Sequence, residues 1–174
     1  MRRYFMLVAV GTAAVLSVVG CGSDSDGGTA NNGGGAGASS LTQCLGNNAE
    51  FTPDEFVAGT EDGKGCSDLT DMQTVCANDM PLIVGTCGKN CLNMADEAMC
   101  VAACVQQKVT HDSYGPLSNG CLTCYGEDVV CARDNCLVAC GLNPTSAGCA
   151  TCRLEKGCAD AFYECSGLPR PTGS

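Results

Sequence analysis

The sequence predicts a small, disulfide-rich, mainly α fold: short helices and helical hairpins stapled by disulfides, behind a disordered N-terminal tether. Three observations predict it. Sixteen of the seventeen cysteines fall between residues 41 and 174, about 12% of that stretch, and an exported segment above roughly 8–10% cysteine reads as a disulfide scaffold. Many of these cysteines lie three or four residues apart, which places them on one face of a helix. Large apolar residues are sparse, with no Trp, four Phe and four Tyr in the chain. Cross-links contributing about 2–4 kcal/mol each therefore replace burial.

The elements follow in chain order. The sequence opens MRRYFMLVAVGTAAVLSVVGC. Arg2 and Arg3 form a short positive region, and Tyr4 to Val19 is apolar apart from Gly11, Thr12 and Ser17. That run falls short of the roughly 20 residues a permanent span needs and fits the apolar part of a signal peptide, residues 1–20. The run ends in Gly20, a small residue, followed by the thiol of Cys21. Residues 22–40, GSDSDGGTANNGGGAGASS, contain seven Gly and no large apolar residue. Such a segment cannot offset its chain entropy and reads as a flexible tether with a reach of about 25 Å. Its DSDG fragment lacks the later Glu of a calcium loop, so no calcium site is assigned.

The folded region divides into a subdomain at 41–86, with Cys44, Cys66 and Cys76 widely spaced, and a denser repeat region at 87–174. In the first, TPDEF is a helix start: Thr52 as N-cap, Pro53 at the first helical position, Glu55 completing a capping box. Gly59 ends that helix, and GTEDGKG is a polar loop. Helical patterning resumes from Thr70 to Ala77, with Thr70 and Gln73 as a second capping box, and Pro81 interrupts the chain.

The repeat region matches CVAAC…SNGCLTC with CLVAC…SAGCATC. A Cx3C helix facing a Cx2C helix across a turn makes two nested bridges. The expected pairs are Cys104–Cys121 with Cys100–Cys124, and Cys140–Cys149 with Cys136–Cys152. Gly141 followed by Pro144, and Lys156 followed by Gly157, are helix ends. ADAFYEC forms a last helix that stops at Gly167. Spacing does not fix the partners of the other eight cysteines.

From Cys21 onward the chain carries seven basic and nineteen acidic residues, a formal charge of −12. An acidic chain without a basic patch argues against nucleic acid and against electrostatic binding to anionic lipid, which leaves membrane attachment to the anchor. CLTC and CATC are CxxC motifs, but no βαβ pattern surrounds them as a thiol oxidoreductase requires. Cys121, Cys124, Cys149 and Cys152 have the spacing of a four-thiolate zinc site. Export into an oxidising compartment favours disulfides instead. CxxCH is absent, so no covalent haem is expected. His111, in THDSY, is the sole histidine. Neighbouring Ser, His and Asp in one loop point apart, so the motif is read as solvated loop rather than triad. Met94 and Met99 are read as helix packing rather than copper ligands. No catalytic residue, metal or cofactor is assigned.

Val18-Val19-Gly20-Cys21 resembles the bacterial lipobox, which implies lipid attachment at Cys21: cleavage at the Gly20–Cys21 bond, where small Gly20 leaves room for a peptidase, a diacylglycerol thioether on the nucleophilic Cys21 thiol, and a further acyl chain such as palmitate on the freed amine. Gly22, where Asp would favour inner-membrane retention, leans towards the outer membrane. The whole plan resembles cysteine-rich lipoproteins of predatory and soil bacteria such as myxobacteria, with lipobox, Gly-rich tether, repeated Cx3C and GCxxC helices and an ending like CADAFYECSGLP. A smaller stretch, CSDLTDMQTVCANDMPLIVGTCGKNC at 66–91, resembles an ShK-toxin-type module but has four of its six cysteines. The expectation is a lipid-anchored, surface-exposed structural or binding protein, not an enzyme, whose envelope or extracellular protein or carbohydrate partner is not named by the sequence. The alternative is an extracytoplasmic thiol-redox or metal-binding protein using the CxxC pairs.

Overall fold

The computed structural model describes residues 41–109 and 114–172. Gly20, Cys21, the tether and His111 lie outside the described residues. Among those described there are seven α-helices and no strand: α1 (Pro53–Gly59), α2 (Leu69–Cys76), α3 (Met80–Cys91), α4 (Glu97–Lys108), α5 (Asn119–Cys140), α6 (Ala147–Glu155) and α7 (Cys158–Ser166). A 3₁₀ turn, Gly46–Asn48, precedes them. The chain is therefore small, disulfide-rich and mainly α.

Local chemistry sets most helix ends. At α1 the Thr52 hydroxyl accepts from the Glu55 amide at 3.3 Å, and the Glu55 carboxylate accepts from the Thr52 amide at 2.9 Å. Both halves of the expected capping box are present. Ser118 and Ser146 each cap a helix by accepting from the amide three residues on, of Cys121 and Cys149. The likeness of SNGC to SAGC is thus a cap followed by a bridging cysteine. Gly157 and Gly167 take left-handed φ values of 75° and 73° at the two ends of α7. Only glycine enters that region without strain.

Three local expectations are corrected. The helix expected from Thr70 starts at Leu69, with Asp68 at its N-cap position and no side-chain cap, so Thr70 and Gln73 form no capping box. Pro81 does not break the chain: it sits in the first turn of α3, where no amide is needed, behind Asp79, whose carboxylate accepts from the Leu82 amide. Consequently the boundary placed at 86/87 falls inside α3. Gly141 does end α5, but with φ −60° rather than a left-handed turn.

Disulfides join all sixteen cysteines of this region into eight pairs. The α5–α6 hairpin holds Cys136–Cys152 and Cys140–Cys149, nested as the spacing predicts. The other expected nest is corrected. Cys104 pairs with Cys87 and Cys100 with Cys91, which closes α3 against α4. Cys121 reaches back to Cys66, and Cys124 forward to Cys165. The reason is which helices form the hairpin. Cys91 and Cys100 are nine residues apart, the same interval as Cys140 and Cys149, so the short α3–α4 connection, and not the longer α4–α5 one, repeats the α5–α6 hairpin. With Cys100 and Cys104 taken by α3, Cys121 and Cys124 are left to tie α5 to residues distant in the chain. The remaining pairs are Cys44–Cys76 and Cys131–Cys158. No cysteine of 66–91 pairs within that stretch.

Long α5 is the hub, anchoring five of the eight bridges. Its backbone bends at Cys136, which leaves the helical region at φ −130°, ψ 18°. Gly126 lets α4 approach closely, since a Cβ there would lie 2.6 Å from the Ala98 carbonyl oxygen. The main core gathers Phe56, Val75, Val101, Val105 and Val109 around the sulfurs. The far end of the α5–α6 hairpin has a separate small core made of cysteine alone: Cys136, Cys140 and Cys149, with Cys152 packed against them.

Candidate functional site: a groove between α3, α5, α6 and α7

One face of α5 repeats at helical spacing: Tyr125, Asp128, Val129, Ala132, Arg133 and Leu137. These residues fall on a single stripe and floor a groove. Met80, Val84 and Gly88 of α3 form one wall, with Arg153 of α6 and Phe162 and Tyr163 of α7 opposite. The cavity holds about 160 Å³, the size that accepts a single aromatic ring or short aliphatic segment. Tyr125 stacks at 5.0 Å on Phe162, which stacks at 5.3 Å on Tyr163. The lining is largely apolar.

Two ion pairs punctuate it. Arg153 Nη2 donates to both carboxylate oxygens of Asp128, at 2.7 and 2.8 Å. Arg133 pairs with Glu97, the first residue of α4, and with its neighbour Asp134. Asp128 and Glu97 are both buried. Burial pushes the Asp128 carboxyl above its ordinary range, and the Arg153 charge works against that rise. Burial also pushes the Tyr125 phenol upward, reinforced by nearby Tyr163, Asp128 and Asp71, so the ring lines the groove uncharged. Two buried atoms, Glu97 Oε1 and Arg153 Nε, have no hydrogen-bond partner among the described residues. Both atoms are sealed from solvent behind their ion pairs, so what the groove presents is an apolar slot edged by two arginine–carboxylate pairs. A wider hollow of about 420 Å³ lies between Glu61, Lys64, Asp160, Glu164 and Arg170. Its charges are mostly exposed, and Arg170 pairs there with Asp160 at 2.6 Å.

The sequence motifs supply Cys140, Cys149, Pro81, Gly141, Pro144 and the aromatic pair of ADAFYEC to the lining, but as structural signals, and they point to neither the groove nor its two ion pairs. The CxxC cysteines are held apart by their partners. Cys121 and Cys124 are bonded to Cys66 and Cys165, and Cys149 and Cys152 to Cys140 and Cys136. Neither motif forms the internal pair that thiol exchange uses, and no group of three metal-ligating side chains converges among the described residues. Met94 and Met99 are exposed, so the expected packing is corrected: they stand at and beyond the α3–α4 turn, outside the core. No described helix is long and apolar enough to cross a membrane. Comparison with protein families, curated proteins and solved structures gives no match.

Proposed function

We propose that this chain is a lipid-anchored, non-enzymatic binding and structural domain exposed at the cell envelope, at the outer rather than the inner membrane. The observation that supports the reading is cysteine parity. The sixteen cysteines of the folded region take one another as partners. That leaves Cys21, the one cysteine placed directly after an apolar run and Gly20. A thiol exempt from pairing at that position is free for acylation, and two or more acyl chains hold a protein stably.

The groove supplies the binding part. A ligand that fits has a compact apolar body that packs against Tyr125, Val129 and Phe162.

Metabolic labelling with palmitate tests the anchor. Label enters the wild-type chain, and Cys21→Ser abolishes it and leaves unprocessed precursor. Label that persists in the variant contradicts the reading. Anilinonaphthalene sulfonate tests the groove: one equivalent binds the native chain, and Ala132→Phe, which fills the slot, removes that binding.

A further inference from the structure

The α5–α6 hairpin ends in an outward surface, at Val138 and Leu142, that the groove does not use and that adjoins the groove floor at Leu137. Residues 135–152, NCLVACGLNPTSAGCATC, contain no charged residue, the longest such run between Leu41 and Ser174. The next longest, 113–126, supplies Leu117, Cys121, Leu122 and Tyr125 to the interior. The hairpin run does the reverse. Val138 is 98% exposed, Leu142 93% and Leu137 50%. Folded chains do not gain from exposing such residues at one tip. Yet this tip is closed by two nested disulfides that form its whole core. It is rigid, uncharged and apolar outward. Lys89 and Arg153 stand at its base, Lys89 Nζ donating to the Leu142 carbonyl oxygen at 2.9 Å.

We propose that the hairpin tip docks into the phospholipid surface of the membrane that carries the anchor, with Leu137, Val138 and Leu142 entering the headgroup–acyl boundary. The inference rests on the reading of Cys21 as the lipid attachment site. Three observations favour a bilayer over a protein occupant. Three exposed side chains offer far less than the roughly 1,000 Å² a stable protein interface buries. The chain enters the fold beside the tip: Gly46 abuts Asp79 at the start of α3, and Pro144 of the hairpin abuts Gly85, about 9 Å further along that helix. A lipid at Cys21, within a tether's reach of about 25 Å, keeps the tip near the bilayer, and weak insertion suffices when the surface is already tethered. Finally, the strongly acidic chain meets anionic headgroups least unfavourably at this uncharged run, where Lys89 stands at the base of the tip and the nearest acids, Asp134 and Glu155, lie beyond its two ends.

The test uses Leu142→Trp, because the native chain has no Trp. The full chain is purified with its lipid and reconstituted in vesicles of phosphatidylethanolamine and phosphatidylglycerol, with and without brominated acyl chains. The expected result is emission moved to shorter wavelength and quenched by the brominated chains. Leu69→Trp, exposed on α2, shows neither effect. Adding Val138→Asp lowers the ratio of inserted to free tips on the order of tenfold. Peptide mapping of Cys136–Cys152 and Cys140–Cys149 checks that each variant keeps its hairpin. Unquenched emission from a chain whose Cys21 lipid is verified by mass overturns the proposal. So does a wavelength shift that grows with protein concentration in the absence of vesicles, which would make the occupant a second copy. If Cys21 carries no lipid and the probe is still quenched on vesicles, the docking surface stands and the anchor reading falls. If Cys21 carries no lipid and the probe is unquenched, both fall.

Discussion

Removing the Cys66–Cys121 bridge should cost the domain more than removing Cys140–Cys149, and chain entropy sets the difference. Cys66 and Cys121 are 55 residues apart. The Cys87–Cys104 bridge already shortcuts that loop, so the covalent path between them is about 38 residues. Releasing a loop of that size from the unfolded chain costs about 4 kcal/mol. Cys140 and Cys149 close nine residues, worth about 2.5 kcal/mol on the same relation. Packing widens the gap, because Cys66 and Cys121 are wholly buried in the main core, whereas Cys140 belongs to the small core of the hairpin. Each pair is replaced by alanines and unfolded in guanidinium without reductant, with two spectroscopic probes to check that one transition is followed. The long-loop variant should lie at least about 1 kcal/mol below the short-loop variant. Equal losses, or a larger loss for Cys140–Cys149, would refute the idea that these bridges act by restricting the unfolded chain.

Other consequences are as direct. Arg153→Ala leaves the Asp128 carboxylate buried and unpaired, which should cost about 3 kcal/mol at neutral pH. Because burial raises the folded Asp128 pKa above its unfolded value, the folded state gains stability as pH falls through that window and loses it as pH rises. The variant should therefore recover part of its loss as pH is lowered towards about 4, near the unfolded carboxyl value, measured by denaturant midpoints across pH. Thr52→Ala removes one half of the α1 capping box and should cost about 1 kcal/mol, with Glu55→Gln largely without further effect once Thr52 is gone. Gly85→Val puts a side chain where Pro144 Cγ would lie 2.5 Å from its Cβ. It should separate the hairpin from α3, at about 1–3 kcal/mol, and raise hydrogen exchange in α6 before it does so in α4.

The parts of the fold legible in the sequence are those set by neighbours within one turn. Thr52, Pro53 and Glu55 start α1 through contacts three residues apart, and Gly167 ends α7 through its own backbone freedom. The α5–α6 hairpin was legible because its eight-residue spacer brings Cx3C and Cx2C together. The α3–α4 hairpin carries the same eight-residue spacer, between Cys91 and Cys100. That interval was the available signal, and the likeness of CVAAC to CLVAC drew the pairing to the wrong partner. Pro81 misled because a proline reads equally as a break or as a first helical turn, and Asp79 ahead of it decides for the turn. The groove had no local signature. Asp128 meets Arg153 across 25 residues and Glu97 meets Arg133 across 36, distances set by how α4, α5 and α6 pack rather than by any motif.

The central claim is that sixteen cysteines pair among themselves and the seventeenth carries lipid. Non-reducing peptide mass mapping of the chain extracted from its membrane, with free thiols alkylated under denaturing conditions, tests both halves at once. The expected result is no alkylated cysteine, the eight pairs described above, and an N-terminal peptide that begins at Cys21 with the added mass of its acyl groups. Two or more alkylated thiols, or Cys21 found in a disulfide, would contradict it.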